Sequence, residues 1–207
     1  MSRLPVLTPD ILTPEQKQVY DTIAGDKRRQ KTRRFKMMND DGTLTGPFNA
    51  LLYSPQVGDA VQQLGGALRF SSSLAGHLRE LAILMVAQRW RANYEWYAHA
   101  PIAAREELGE AVIEAVKAGE VPGEAPADVL TVHRFVSELV ETRRVCEETY
   151  RETRALIGEQ GLVELISVVG YYSLLAGLLN TFEIGVPEGE TSPFGASAGS
   201  ARFSDQY

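Results

Sequence analysis

The sequence predicts an all-α fold. Three observations carry this. Apolar residues recur at three- and four-residue spacing in one segment after another. Gly, Pro and Ser/Thr/Asn punctuation falls between those segments. No segment sustains the period-two alternation of a half-buried strand. The size fits a single core with an arm: 207 residues, 22.8 kDa, 44% hydrophobic and 23% charged.

The elements follow in order. Thr13-Pro14-Glu15-Gln16 reads as a helix start, with Thr13 as N-cap, Pro14 at the first helical position and Gln16 closing a capping box. That helix should end near Gly25. Residues 27–36 then hold seven basic residues in ten, which fits a solvated face and also a patch for an anionic ligand or an acidic subunit. Asp40-Asp41-Gly42 marks a turn. Ser54-Pro55 opens a second helix, to about Arg69. Ser71-Ser72-Ser73 offer caps for a third, whose Leu74, Leu78, Leu81, Ala82, Met85 and Val86 share one face.

Asn93 is placed to cap a fourth helix, which Gly109 ends. A short helix over 110–118 stops at Gly119, and 121–126 is a Pro/Gly loop. Helices are predicted over 127–144, over 146–157 with Gly158 ending it, and over 162–182. Residues 1–45 thus form an arm of helix and basic loop, 46–185 the helical domain, and 186–207 a flexible tail rich in Gly, Ser and Pro. Leu78-Arg79-Glu80-Leu81 and Leu162-Val163-Glu164-Leu165 echo each other; a duplicated unit and coincidence among Leu-rich helices both fit.

Composition also excludes. A net charge of −6 argues against nucleic acid as the main partner. The single cysteine, Cys146, forbids an internal disulfide and any Cys-x-x-Cys redox pair, and reads as an inert buried thiol. The apolar stretch 165–182 contains Ser, Gly, Tyr and Asn between Glu164 and Glu183, which suits a buried core helix better than a membrane span. No apolar leader shows in residues 1–10, so the expected compartment is the cytoplasm. The 162–182 helix is apolar on most of its circumference, so a homo-oligomer that covers it is expected.

Chemistry concentrates on the third and fourth helices, which carry His77, Arg79, Glu80, Arg89, Trp90, Arg91, Tyr94, Glu95, Trp96 and His99. Glu95 and His99 are one turn apart. A carboxylate there can fix an imidazole's tautomer and make it a proton donor or base; a plain helix-stabilising pair fits as well. Glu80 lies among apolar positions and needs either a partner or a role. Arg79 or Arg91 could bind a substrate carboxylate. Trp90 and Trp96 suit a core as well as a substrate platform. Glu95/His99 and His77/Glu80 have ligand spacing for a metal, but in a hairpin turning near Asn93 His77 lies roughly 20 Å from the turn and Glu95 about 3 Å, so no metal is expected.

These residues carry a resemblance. Arg79-Glu80-Leu81-Ala82-Ile83-Leu84 followed by Tyr94-Glu95-Trp96-Tyr97-Ala98-His99 resembles the carboxymuconolactone decarboxylase family, which shares its fold with the alkylhydroperoxidase D proteins. The block from Gly46 to Pro55 resembles the segment before the core in longer members. The resemblance implies an oligomeric helical domain, as dimer, trimer or hexamer. Its peroxidase branch relays through a Glu and Cys-x-x-Cys-x-x-x-His. Aligned on the histidine, those positions are Glu80, Ala92, Glu95 and His99, so both cysteines are replaced. The decarboxylase branch implies removal of CO₂ from a small carboxylated lactone in aromatic catabolism, without metal or organic cofactor. The implied site is His99 as proton donor, Glu95 orienting it and Glu80 in the relay. Arg79, Arg91, Tyr94 and Trp96 would hold a small anionic substrate. A peroxiredoxin-type oxidoreductase and a non-catalytic helical oligomer are the alternatives.

Overall fold

The computed structural model describes residues 2–25 and 37–195. The basic run 27–36 and the tail beyond Gly195 lie outside the described residues. Among the described residues eight α-helices follow a short 3-10 turn: α1 Pro14–Gly25, α2 Pro47–Leu51, α3 Pro55–Phe70, α4 Gly76–Trp90, α5 Asn93–Arg105, α6 Glu110–Ala118, α7 Ala127–Thr142 and α8 Glu147–Thr181. Among the described residues there is no strand. One isolated bridge, Met38 to Leu44, closes the Asp40-Asp41-Gly42 turn.

Local chemistry explains the boundaries. The Thr13 N–H donates to Gln16 Oε1 at 3.0 Å and the Gln16 N–H to Thr13 Oγ1 at 3.3 Å, which completes the capping box of α1. Arg91, Gly119 and Arg143 adopt left-handed conformations that stop α4, α6 and α7. Gly158 breaks α8 at φ 70° and ψ 179°, so α8 is two helices meeting at a kink.

Helix α4 is the hub. It packs against α5, α6, α7 and α8, and Leu81, Ala82, Ile83, Leu84, Val86 and Ala87 on it are fully buried. Helix α8 supplies Leu165, Val168, Tyr172 and Leu175 to the same core. By length and composition α8 is apolar enough to cross a membrane, yet its buried residues form the centre of this core. A second, small cluster joins Val19 and Ile23 of α1 to Leu44 and Leu52. The arm therefore folds onto its own chain. Asn49 binds the Leu7 backbone through both its amide atoms, and the Arg3 N–H reaches the Phe182 carbonyl.

Several sequence expectations are corrected. Ser72 and Ser73 do not cap α4; both hydroxyls donate to Glu164 of α8 at 2.8 Å. Asn93 does not cap α5. Its amide accepts from the Phe194 N–H at 2.8 Å and donates to the Gly195 carbonyl at 3.0 Å. The tail is therefore fixed as far as Gly195, with the Phe194 ring edge-on to Trp96 at 5.3 Å. Cys146 is exposed rather than buried, and its Sγ caps the start of α8 by accepting from the Thr149 N–H.

Candidate functional site

Helices α4 and α5 form a hairpin about the left-handed Arg91. This brings Glu80 and His99 together across the pair. His99 Nδ1 lies 2.7 Å from Glu80 Oε2, and both residues are buried. Burial alone would raise the Glu80 carboxyl. The His99 charge and hydrogen bond, with Arg69 and Arg79 nearby, outweigh it and hold the carboxyl below its usual range. An ionised Glu80 favours the proton on Nδ1 and leaves Nε2 as the working nitrogen. Tyr172 of α8 sets its ring edge-on to the imidazole at 5.0 Å and locks its plane.

Glu95 is the other carboxyl of the site. It is 3% exposed, and neither oxygen has a hydrogen-bond partner. Burial pushes its carboxyl well above the usual range and favours its neutral form. The i, i+4 relation predicted that Glu95 would orient His99. Glu80 makes that bond instead, because the neighbouring helix presents its carboxylate to Nδ1.

His99 and Glu95 line a cavity of about 40 Å³. Phe48, Gly65, Arg69, Tyr94, Tyr171, Tyr172 and Leu175 complete most of its wall. The volume has room for the reacting end of a small molecule. Gly46, at φ 56°, abuts the Tyr94 ring, and a Cβ there would collide with it. Gly65 makes the same close approach to the Tyr171 hydroxyl. These glycines let α2 and α3 approach the aromatic wall.

The remaining candidates divide. Tyr94 lines the cavity. Arg79 does not; its Nε lies 3.6 Å from Glu80 Oε1, where it adds positive charge behind the carboxylate. Arg91 points away, donating to the Phe194 carbonyl at 2.8 Å and stacking over that ring. Trp96 is buried in the main core against Phe194 and is no substrate platform. Among the described residues the guanidinium on the cavity wall is that of Arg69, which sequence reasoning missed. Nothing in its local pattern marks it, since its place depends on α3 packing against the distant α8. His77 pairs with Asp128 at 2.9 Å and ties α4 to α7, away from the cavity. Among the described residues no three His, Cys, Asp or Glu side chains gather as a metal site.

This architecture is the alkylhydroperoxidase D-like fold. It is similar to the crystal structure of an alkylhydroperoxidase AhpD core, an uncharacterized peroxidase-related protein from Ralstonia eutropha JMP134. The TM-score is 0.69 at 17% identity, over 90% of this chain and 93% of that one. It is also similar to an uncharacterized peroxidase-related protein from Silicibacter sp. TM1040, with TM-score 0.67 and 13% identity over 91% and 92% of the two chains. Neither the family models nor the curated proteins compared with the sequence give a match.

Proposed function

We propose that this chain is a carboxymuconolactone decarboxylase-like enzyme. Its reaction is cofactor-free decarboxylation, or the related isomerisation, of a small carboxylated lactone. One observation carries the reading: two buried carboxyl groups at one site stand in opposite environments, Glu80 bonded to His99 at 2.7 Å and Glu95 with neither oxygen partnered, which drives the first down and the second up. Such a split assigns an acid and a base partner within one site.

The steps follow from these residues. The C–C bond to the departing carboxylate breaks, CO₂ leaves, and the electron pair enters the lactone's unsaturated system as a dienolate. The neutral Glu95 O–H donates a hydrogen bond to the oxygen where that charge develops. The doubly protonated His99 ring gives its Nε2 proton to carbon and becomes the neutral tautomer, whose Nδ1–H Glu80 holds in that orientation. The apolar wall of Phe48, Tyr171 and Leu175 keeps water from competing for the carbanion. A thiol-peroxidase reaction has no nucleophile here, because Ala92 and Glu95 occupy the cysteine positions and Cys146 caps the far end of α8.

We propose too that the chain self-associates. Val57, Leu64 and Phe70 of α3 and Val163, Ile166 and Leu174 of α8 are exposed on two helices that pack together. An apolar face of this kind favours a second copy as cover. The decisive assay for the reaction is CO₂ release from a panel of carboxylated lactones. Turnover by the wild type that is lost in His99→Gln supports the reading. Dithiol-dependent peroxide reduction that survives Cys146→Ser defeats it.

A further inference from the structure

A second concavity, of about 240 Å³, opens where the C-terminal half of α4 meets the end of α6 and the middle of α7. Among the described residues it shares no lining residue with the cavity at His99, and the acid–base steps leave it unused. Val116 and Val136 on its wall are buried and Met85 and Val140 half-buried, so its floor is apolar. Arg89, Glu120 and Glu141 are exposed and form its rim. The polar residues of α7 divide by face. Asp128, Thr131, Arg134, Glu138 and Thr142 each hold a hydrogen bond or an ion pair. His133, Ser137 and Glu141, at i, i+4 and i+8, line the concavity, and among the described residues their side chains make no such bond. Ser137 lacks even the bond to the carbonyl one turn back that Thr131 and Thr142 make. Gln88 and Arg89 of α4 are unpaired on the facing side in the same sense. Burial holds the His133 imidazole below its usual range against the pull of Glu141, which favours the neutral ring with one donor and one acceptor.

We infer that this concavity binds a zwitterionic α-amino acid with an apolar side chain. Its carboxylate sits at Arg89, its ammonium at Glu141 and Glu120, and its side chain on the valine floor. Charge complementarity selects the class. One guanidinium stands on α4, and two carboxylates stand on the elements packed against it. A simple anion would meet one cation and two like charges, and a simple cation would be repelled by Arg89. A zwitterion answers both signs at once. Gln88, His133 and Ser137 lie between the charges with free donors and acceptors for the same polar head. Gly119 keeps that side open. At φ 77° it favours glycine, and a Cβ there would come within 2.8 Å of the Gln88 Nε2 and displace the amide. The volume suits one small metabolite, since pockets that enclose drug-sized ligands run to about 300–1,000 Å³. The rim is exposed, so each charge contributes modestly and the apolar floor supplies the rest of the affinity.

The test is calorimetric titration of the full chain with L-leucine, N-acetyl-L-leucine and L-leucinamide. Leucine carries both charges, the acetyl derivative only the carboxylate and the amide only the ammonium. Leucine should bind the wild type, and each derivative about fivefold or more weakly. L-Serine, which has no apolar side chain, should not bind. Arg89→Gln should weaken leucine by a similar factor without weakening leucinamide. Glu141→Gln should weaken leucine without weakening N-acetyl-leucine. Both residues are exposed, so both variants should fold. No binding of leucine, equal binding of leucine and either derivative, or wild-type affinity in both variants overturns the proposal. So does a fall in oligomer mass of the variants without leucine binding, which would assign this face to a subunit contact. His99→Gln should bind leucine as the wild type does; loss of binding there would move the ligand to the reaction cavity and overturn the proposal.

Discussion

Glu80 of α4 and His99 of α5 share a 2.7 Å hydrogen bond in which the Glu80 side chain is 1% exposed. A bond this sheltered is an all-or-none arrangement. Removing either partner strands the other in a medium that cannot solvate it.

Glu80→Gln keeps the shape and removes the charge. Its rate of CO₂ release should fall by about a hundredfold or more, because the ring loses the partner that fixes its proton. Glu80→Ala should in addition lose about 3–5 kcal/mol of stability. The sign of the pH effect follows from the lowered carboxyl. Its stabilisation is complete above the unfolded value, near 4.3, and is lost as pH falls through the folded value. Urea unfolding of wild type and Glu80→Gln across the acid range checks both statements.

Glu95 acts with the opposite sign. Its carboxyl is raised in the folded state, so between the unfolded value and the folded one the native chain holds a proton that the unfolded chain releases. Stability must therefore decline as pH rises above about 4.3. Glu95→Gln removes that decline. Melting temperatures should converge near pH 4 and favour the variant at pH 8, while CO₂ release falls because the acid O–H is gone. Equal melting curves at pH 8 would contradict a neutral buried Glu95.

Gly46→Ala should destabilise by about 1–3 kcal/mol or more, since φ 56° is unfavourable for Ala and the added methyl meets the Tyr94 ring. Gly25→Ala, where a Cβ meets nothing within 4 Å, is the matched control and should change stability little. Denaturant midpoints of the two variants decide this.

Ile166→Lys and Leu64→Lys place charges on the exposed apolar faces of α8 and α3. Light scattering should give a multiple of 22.8 kDa for the wild type and a lower mass for the variants, with helix content retained. A wild-type mass of one chain at micromolar concentration would remove the oligomer proposal.

Periodicity made the longer helices legible, down to the break at Gly158, because each buries one face and ends at residues that cannot continue it, whereas α2, Pro47–Leu51, is too short to show a period. The chemistry was legible in composition and less so in pairing. Glu80, Glu95 and His99 stand out as polar residues among apolar ones. Spacing within one helix favours the Glu95–His99 pair, whereas the bond forms across two helices. Arg69 was not legible, because its role depends on α3 meeting residues 171–175 about a hundred positions later. The docked tail had one available signal: Phe194, a lone aromatic among Thr191, Ser192, Pro193 and Gly195, which finds Trp96. Such a residue in a polar stretch marks an anchor more than a linker.

The Glu80–His99 bond spans 19 positions of sequence, and the hairpin between them supplies nearly all of that distance. Closing it costs the entropy of a short loop. The Tyr172 edge contact closes one several times longer, which costs about 1 kcal/mol more by the logarithmic rule. The reactive pair therefore belongs to the early, local part of the folding route, and the roof over it to the late part. A chain arrested before α8 docks would carry an assembled dyad open to water.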